Sequence, residues 1–147
     1  MKVALGSDHA GFVLKTRIAE HLNAEGIHFG LFGATSEDSF DYPVAADEVS
    51  EAVLNGPYKF GILICGSGIG VCMRANRYPG IRAAQCLTPE MARLARQHNH
   101  ANVLCLGERI QMYSEAEAIV DVFLCTEEDH ALRHDHRVDL IDARLNS

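Results

Sequence analysis

Six consecutive residues, Phe60-Gly61-Ile62-Leu63-Ile64-Cys65, carry no polar side chain and run straight into a glycine-rich turn, Gly66-Ser67-Gly68-Ile69-Gly70. A continuous apolar run of strand length predicts a parallel strand covered on both faces. Parallel neighbours cannot be joined by tight hairpins, so helical crossovers must lie between the strands. The rest of the chain fits that demand. Strands are predicted over residues 2–6, 27–32, 60–65, 81–87 and 102–106. Helical patterns occupy 10–25, 43–54, 89–98 and 114–124, with a short helix after the glycine turn and a charged helix over 129–145. Gly26 stops the first helix. Pro43 opens the second at its first position, and Asn55-Gly56-Pro57 breaks it. Thr88 caps the helix that begins at Pro89. Ser114 reads as an N-cap, with Glu117 in the capping-box position. The alternation implies an α/β class: one Rossmann-like, three-layer domain over residues 1–147 with a five-stranded parallel sheet. The last helix is expected to pack on the core or on a partner subunit.

Composition narrows the functional classes. The net charge of −7 argues against nucleic-acid binding through a phosphate backbone, yet leaves room for a local arginine cluster around one small anion. No apolar run reaches the ~20 residues of a membrane span. The N-terminus leads directly into a strand without the apolar region of a signal peptide. Five cysteines, Cys65, Cys72, Cys86, Cys105 and Cys125, form an odd set without CxxC spacing, which predicts reduced thiols and a cytoplasmic location.

In open parallel sheets, ligands bind beyond the carboxyl ends of the strands. Polar and glycine residues collect at that edge: Asp8-His9 after the first strand, Asp41-Tyr42 after the second, the Gly66–Gly70 segment after the third and Glu108-Arg109 after the fifth. The alternating glycines let backbone N–H groups converge on an anion or a developing oxyanion. The segment is no P-loop, since Gly-Lys-Ser/Thr is absent, and GxGxG differs from the dinucleotide GxGxxG. Cys65 stands at the mouth of this nest, where N–H groups favour a thiolate able to act as base or nucleophile. Position alone fits a buried structural cysteine equally well. Asp8 could instead close a turn into the first helix, but beside His9, whose imidazole can bond a phosphate or a sugar hydroxyl, the ligand-holding use is the favoured reading. Arg109, Arg133 and Arg137 are candidate phosphate ligands. Arg133 and Arg137 share a helix face at i, i+4, which by itself reads as a solvated charged surface. His98 and His100, or His130 and His134, make poor metal pairs because no third ligand is spaced to join them.

Taken together, Asp8-His9-Ala10-Gly11, Asp41-Tyr42-Pro43, Cys65–Gly70, Ala75-Asn76, Gly80-Ile81-Arg82-Ala83 and Gln97-His98-Asn99 resemble, in order, the type B ribose-5-phosphate isomerases of the ribose/galactose-6-phosphate isomerase family. That resemblance spans nearly the whole chain. It implies metal-free aldose–ketose isomerisation, with no cofactor and a sugar phosphate as substrate. Cys65 resembles the base that moves the proton between C2 and C1, and His98 the acid that opens the furanose ring. Asp8, His9, Tyr42, Asn99 and the loop residues Gly66, Ser67, Gly68, Ile69 and Gly70 resemble the groups that bind sugar and steady the enediolate. Arg109, Arg133 and Arg137, with His9, resemble the phosphate ligands. Val71 stands where some members place a glutamate base, Ser67 where many have threonine, and Arg77 where lysine is frequent. His100 and the histidine-rich tail match no family role.

Topology adds one expectation about assembly. Cys65 ends its strand, whereas His98 precedes the fifth, so the two should lie at opposite ends of one sheet. If both serve one site, His98 comes from a partner chain, predicting a homodimer with shared active sites; the resemblance implies dimers, sometimes paired into tetramers. The alternatives are isomerisation of a six-carbon sugar phosphate, such as allose 6-phosphate or galactose 6-phosphate, and a non-catalytic sugar-phosphate sensor.

Overall fold

The computed structural model describes residues 1–145. Its centre is the apolar strand that leads into the glycine turn. β3 (Phe60–Cys65) is buried at every position and lies between β1 (Lys2–Ser7) and β5 (Val103–Gly107). β2 (His28–Gly33) and β4 (Ala83–Gln85) form the edges, giving the order β2-β1-β3-β5-β4 with every pairing parallel.

The helices are α1 (Phe12–Ala24), α2 (Tyr42–Asn55), α3 (Ile69–Ala75), α4 (Pro89–Asn99), α5 (Tyr113–Cys125) and α6 (Leu132–Asp142). The pleat divides the core between two faces. Val3, Leu5, Ile62, Ile64, Leu104 and Leu106 point toward α1, α4 and α5, where Leu14, Ile18, Ile119 and Phe123 meet them. Ala4, Leu63, Cys65, Val103 and Cys105 point the other way, toward Ala45, Ala46 and Val49 of α2 and Val71 and Ala75 of α3. This is the predicted three-layer α/β fold. α6 lies outside the layers and packs on α4.

Three local expectations need correction. β4 spans three residues rather than the seven of 81–87. At its start the Ile81 N–H is taken by the Tyr78 carbonyl in a turn and the Arg82 N–H by Asn102 Oδ1, and at its end the Cys86 carbonyl accepts from Gln111 Nε2. The regular ladder with β5 is therefore confined to Ala83–Gln85, flanked by single hydrogen bonds from the Val103 N–H to the Arg82 carbonyl and from the Cys86 N–H to the Cys105 carbonyl. Ser114 lies inside α5; the cap position is Met112, whose N–H donates to Glu115 Oε2 at 3.2 Å. The charged helix is Leu132–Asp142, shorter than 129–145. Ahead of it, the Asp129 carboxylate accepts from the Ala131 N–H at 2.9 Å, and the Asp129 N–H donates to the Gln97 carbonyl, which holds this stretch as a turn. Thr88 caps α4 as its sequence predicts, accepting from the Met91 N–H at 3.1 Å.

Candidate active site

A pocket of about 250 Å³ opens at the carboxyl edge of the sheet, lined by Asp8, His9, Ala10, Tyr42, Cys65, Gly66, Ser67, Gly70 and Arg109. Four strand or helix ends build it. Cys65 closes β3, and its Sγ accepts a hydrogen bond from the Gly68 N–H at 3.1 Å. Gly68 reaches that geometry with φ of 78°, and a Cβ there would lie 2.9 Å from the Leu106 carbonyl carbon. Only glycine fits such a backbone at such a distance. Ser67 Oγ accepts from the Ile69 N–H at 3.2 Å and tightens the same turn.

β5 fixes the loop from the other side. The Glu108 N–H donates to the Cys65 carbonyl at 2.9 Å and the Arg109 N–H to the Gly66 carbonyl at 3.0 Å. The Arg109 side chain is exposed beside Gly66 and, among the described residues, makes no ion pair. An unpaired guanidinium at the rim of a thiol pocket is free to grip an anionic group.

Asp8 serves two of its possible uses at once. Oδ1 accepts from the Gly11 N–H at 2.9 Å, closing the turn into α1, while the residue also lines the pocket. His9 Nδ1 lies 3.1 Å from both N and O of Phe40, so whichever of these it bonds, Nε2 is left for a ligand. Tyr42 begins α2, is 42 % exposed, and lays its ring against Gly70. Gly68 is buried beneath the loop, and Ile69 is 49 % exposed outside the pocket lining.

The remaining candidates lie elsewhere. His98 and Asn99 end α4, and Arg133 and Arg137 are exposed on α6. His98 stacks on His134 with ring centroids 4.3 Å apart and an interplanar angle of 11°. Cys65 is level with Gly107 in the β3–β5 register, whereas His98 precedes Val103 at the opposite end of that strand. Four residue steps separate the two levels, or ~13 Å of strand. Burial holds the His134 imidazolium below its ordinary value, with repulsion from Arg133 and His98 adding to the effect. Asp129 faces the same ring, its Oδ2 3.5 Å from Nε2.

Gln85, which the sequence did not single out, and Glu108, which it placed at this edge without a role, support the pocket. Gln85 Nε2 donates to the Ser67 carbonyl and steadies the loop from β4. Glu108 accepts from the Leu14 N–H at 2.7 Å and from the Tyr113 hydroxyl at 3.0 Å, tying the start of α1 to α5. Glu108 thereby supplies the cap that α1 lacks locally, since Gly11 has no side chain. Glu108 and Leu14 are 94 positions apart, so no local spacing signal marks them. A separate hollow of about 300 Å³ beside β2 is mostly apolar. Its one cation, Lys15, already donates to the Phe32 carbonyl at 3.0 Å and to the Ala34 carbonyl.

Comparison with known proteins places this architecture. The chain is 43 % identical over 142 residues to ribose-5-phosphate isomerase B of Escherichia coli (strain K12), covering 97 % of this chain and 95 % of that protein. A ribose 5-phosphate isomerase from Thermotoga maritima superposes with a TM-score of 0.93 at 48 % identity, covering 96 % of this chain and 97 % of that one. The type B ribose 5-phosphate isomerase of Trypanosoma brucei superposes with a TM-score of 0.92 at 41 % identity, covering 96 % of each chain. The family model described as Ribose/Galactose Isomerase matches residues 3–141. The chain therefore belongs to the ribose/galactose isomerase family.

Proposed function

We propose that this protein interconverts ribose 5-phosphate and ribulose 5-phosphate through a cis-enediolate, as a single isomerase domain acting in the cytoplasm. The observation that carries the reading is the Cys65 thiol, bonded by the Gly68 N–H at 3.1 Å within a pocket that also holds Asp8, His9, Tyr42 and Arg109. Cys65 takes the proton from C2 of the open-chain aldose and returns it to C1. The charge that develops on the oxygens meets backbone N–H groups of the Gly66–Gly70 loop. Asp8 and Tyr42 hold hydroxyls, and His9 and Arg109 bind phosphate. Binding the phosphate away from the reacting carbons orients them for transfer. The similarity to proteins named ribose-5-phosphate isomerase B favours the five-carbon sugar over six-carbon phosphates and over a sensor that only binds.

His98 as ring-opening acid, Asn99 as a sugar ligand, and Arg133 and Arg137 as phosphate ligands enter the reading through assembly. Their place at the far end of the sheet supports a two-fold homodimer in which one protomer supplies the Cys65 pocket and its partner supplies His98 and the two arginines. Among the described residues no helix is long and apolar enough to cross a membrane. Steady-state turnover tests the substrate assignment. Chelator-treated protein should convert ribose 5-phosphate with a higher kcat/KM than allose 6-phosphate or unphosphorylated ribose; a higher value on the six-carbon phosphate would reverse the choice of substrate.

A further inference from the structure

The histidines between α4 and α6 match no role in the isomerase reading, yet the fold brings them together. His100 follows α4 and is 5 % exposed. It holds φ of 48° and ψ of 41°, a left-handed conformation that glycine or asparagine adopts more easily. The His100 and His130 rings meet edge to face, with centroids 5.0 Å apart. Asp135, in the first turn of α6, completes the group. One ligand atom from each of His100, His130 and Asp135 lies within 4.8 Å of the others. Sequence spacing had offered no third ligand for a histidine pair. The chain returns one from 35 positions away, because the 126–131 turn folds back on the end of α4.

The separations are close to those of a metal site. Asp135 Oδ1 is 3.0 Å from His130 Nδ1 and 3.9 Å from His100 Nε2. Ligands at ~2.0–2.1 Å from a tetrahedral ion stand ~3.3 Å apart, so small side-chain rotations close the set. The opposite ring nitrogens carry the stronger argument. His100 Nδ1 and His130 Nε2 both face one carboxylate oxygen, Glu128 Oε2, at 3.8 and 3.5 Å. At these distances Glu128 is a charged neighbour of both rings, placed to take their outer N–H groups as hydrogen-bond partners once a metal holds the inner nitrogens; His100 Nε2 now faces the Asp129 carbonyl at 3.2 Å, a contact that the ion would replace. Glu128 is itself anchored by Arg96 Nη1 at 3.3 Å, and the Arg96 side chain is almost wholly buried. Two imidazoles and a carboxylate select a borderline transition-metal ion rather than calcium or magnesium. His130 is exposed, leaving a solvent molecule access to the fourth position.

We propose that His100, His130 and Asp135 bind one divalent ion of the zinc class, backed by Glu128, and that this ion pins α6 to the end of α4. The ion lies outside the Cys65 pocket and takes no part in proton transfer. Its effect would be to hold the α6 arginines against the helix that carries His98.

The test uses metal-stripped full-length protein and Zn²⁺ alone. Calorimetry should show one ion bound per chain, with a matching rise in thermal unfolding temperature. Co²⁺ should give visible d–d bands of nitrogen and oxygen coordination, without thiolate charge transfer. His130→Ala removes an exposed ligand, and His100→Asn removes a buried one while suiting the left-handed backbone. Both should abolish stoichiometric binding and the thermal shift, with circular dichroism unchanged. Glu128→Gln should keep the site but weaken it ~10–100-fold. Absence of Zn²⁺ binding by the wild type, retention of binding by either histidine variant, or a cobalt spectrum dominated by thiolate would overturn the proposal.

Discussion

Replacing Gly68 by alanine should damage stability and turnover together, and Gly26 provides the control that separates the causes. Both glycines sit at positive φ, 78° and 71°. Any L-residue in that conformation costs ~1–2 kcal/mol. Both substitutions also stiffen the unfolded chain to the same degree, which offsets ~0.4–1 kcal/mol of the loss in each. The surroundings differ. A Cβ on Gly26 meets nothing within 4 Å, whereas one on Gly68 lies 2.9 Å from Leu106 C, 3.0 Å from its carbonyl oxygen and 3.0 Å from Gln85 Nε2. Backbone in a central strand cannot step aside, so crowding adds ~1–3 kcal/mol at Gly68. At ~3 °C per kcal/mol for a chain of this size, Gly68→Ala should melt ~3–9 °C below Gly26→Ala. The shifted loop also withdraws the Gly68 N–H from Cys65 Sγ and disturbs the neighbouring donors. Loss of one preorganised donor lowers kcat by ~10²–10³-fold. Thermal unfolding with ribose 5-phosphate turnover measures both effects. Equal melting temperatures and equal kcat for the two variants would refute the reasoning.

Three further outcomes follow from other parts of the structure. Mixing inactive Cys65→Ala and His98→Asn proteins under subunit exchange should restore about a quarter of wild-type activity, because half of randomly paired dimers carry one intact shared site; no recovery despite proven exchange would exclude shared sites. The buried His134 is held below its ordinary value of 6.5 by desolvation, by Arg133 and by His98, with a smaller push from Arg137 and a partial offset from Asp129. The folded state thus binds fewer protons than the unfolded one, so His134 stabilises fully above the unfolded value, and that contribution falls as pH drops from about 6.5 toward the lower folded value; urea midpoints should decline over this range in wild type and less steeply in His134→Gln. A hydrogen bond with the Cys105 thiol, helped by the Gln85 backbone and opposed by burial, draws the Cys72 thiol down to about 7, while burial pushes Cys86 up to about 12. Iodoacetamide should therefore modify Cys72 with a midpoint near neutrality and leave Cys86 unmodified, as read by peptide mass.

The parts of the fold that were legible are those governed by local rules. Phe60–Cys65 was assigned to the residue because an unbroken apolar run has one economical place in a parallel sheet. Thr88 before Pro89 announced its helix through cap chemistry alone. The failures occurred where a distant group decides the local outcome. The stretch 81–87 forms a regular ladder over only three residues because Tyr78, Asn102 and Gln111 claim backbone groups at its two ends. Ser114 lost the cap position to Met112, two residues earlier, where Glu115 can reach back to the helix start.

The site divides the same way. The rule that ligands gather at the carboxyl edge located Asp8, His9, Tyr42, Cys65 and Arg109, and the fold draws these into one pocket. Gln85, and the supporting role of Glu108 at that edge, were not legible because each acts on a partner far along the chain. The His100, His130 and Asp135 cluster was hidden for a related reason: its three members come from a helix end, a turn and another helix, and only the packing of α6 on α4 joins them.

The most direct test of the account is turnover of ribose 5-phosphate in heavy water by chelator-treated wild type and Cys65→Ala. A thiol that carries the proton from C2 to C1 exchanges with solvent while the enediolate exists. Wild type should place deuterium at C1 of ribulose 5-phosphate, and Cys65→Ala should bind substrate but neither convert it nor exchange its C2 proton. Conversion with deuterium incorporation undiminished in Cys65→Ala would contradict the assignment of Cys65 as the base.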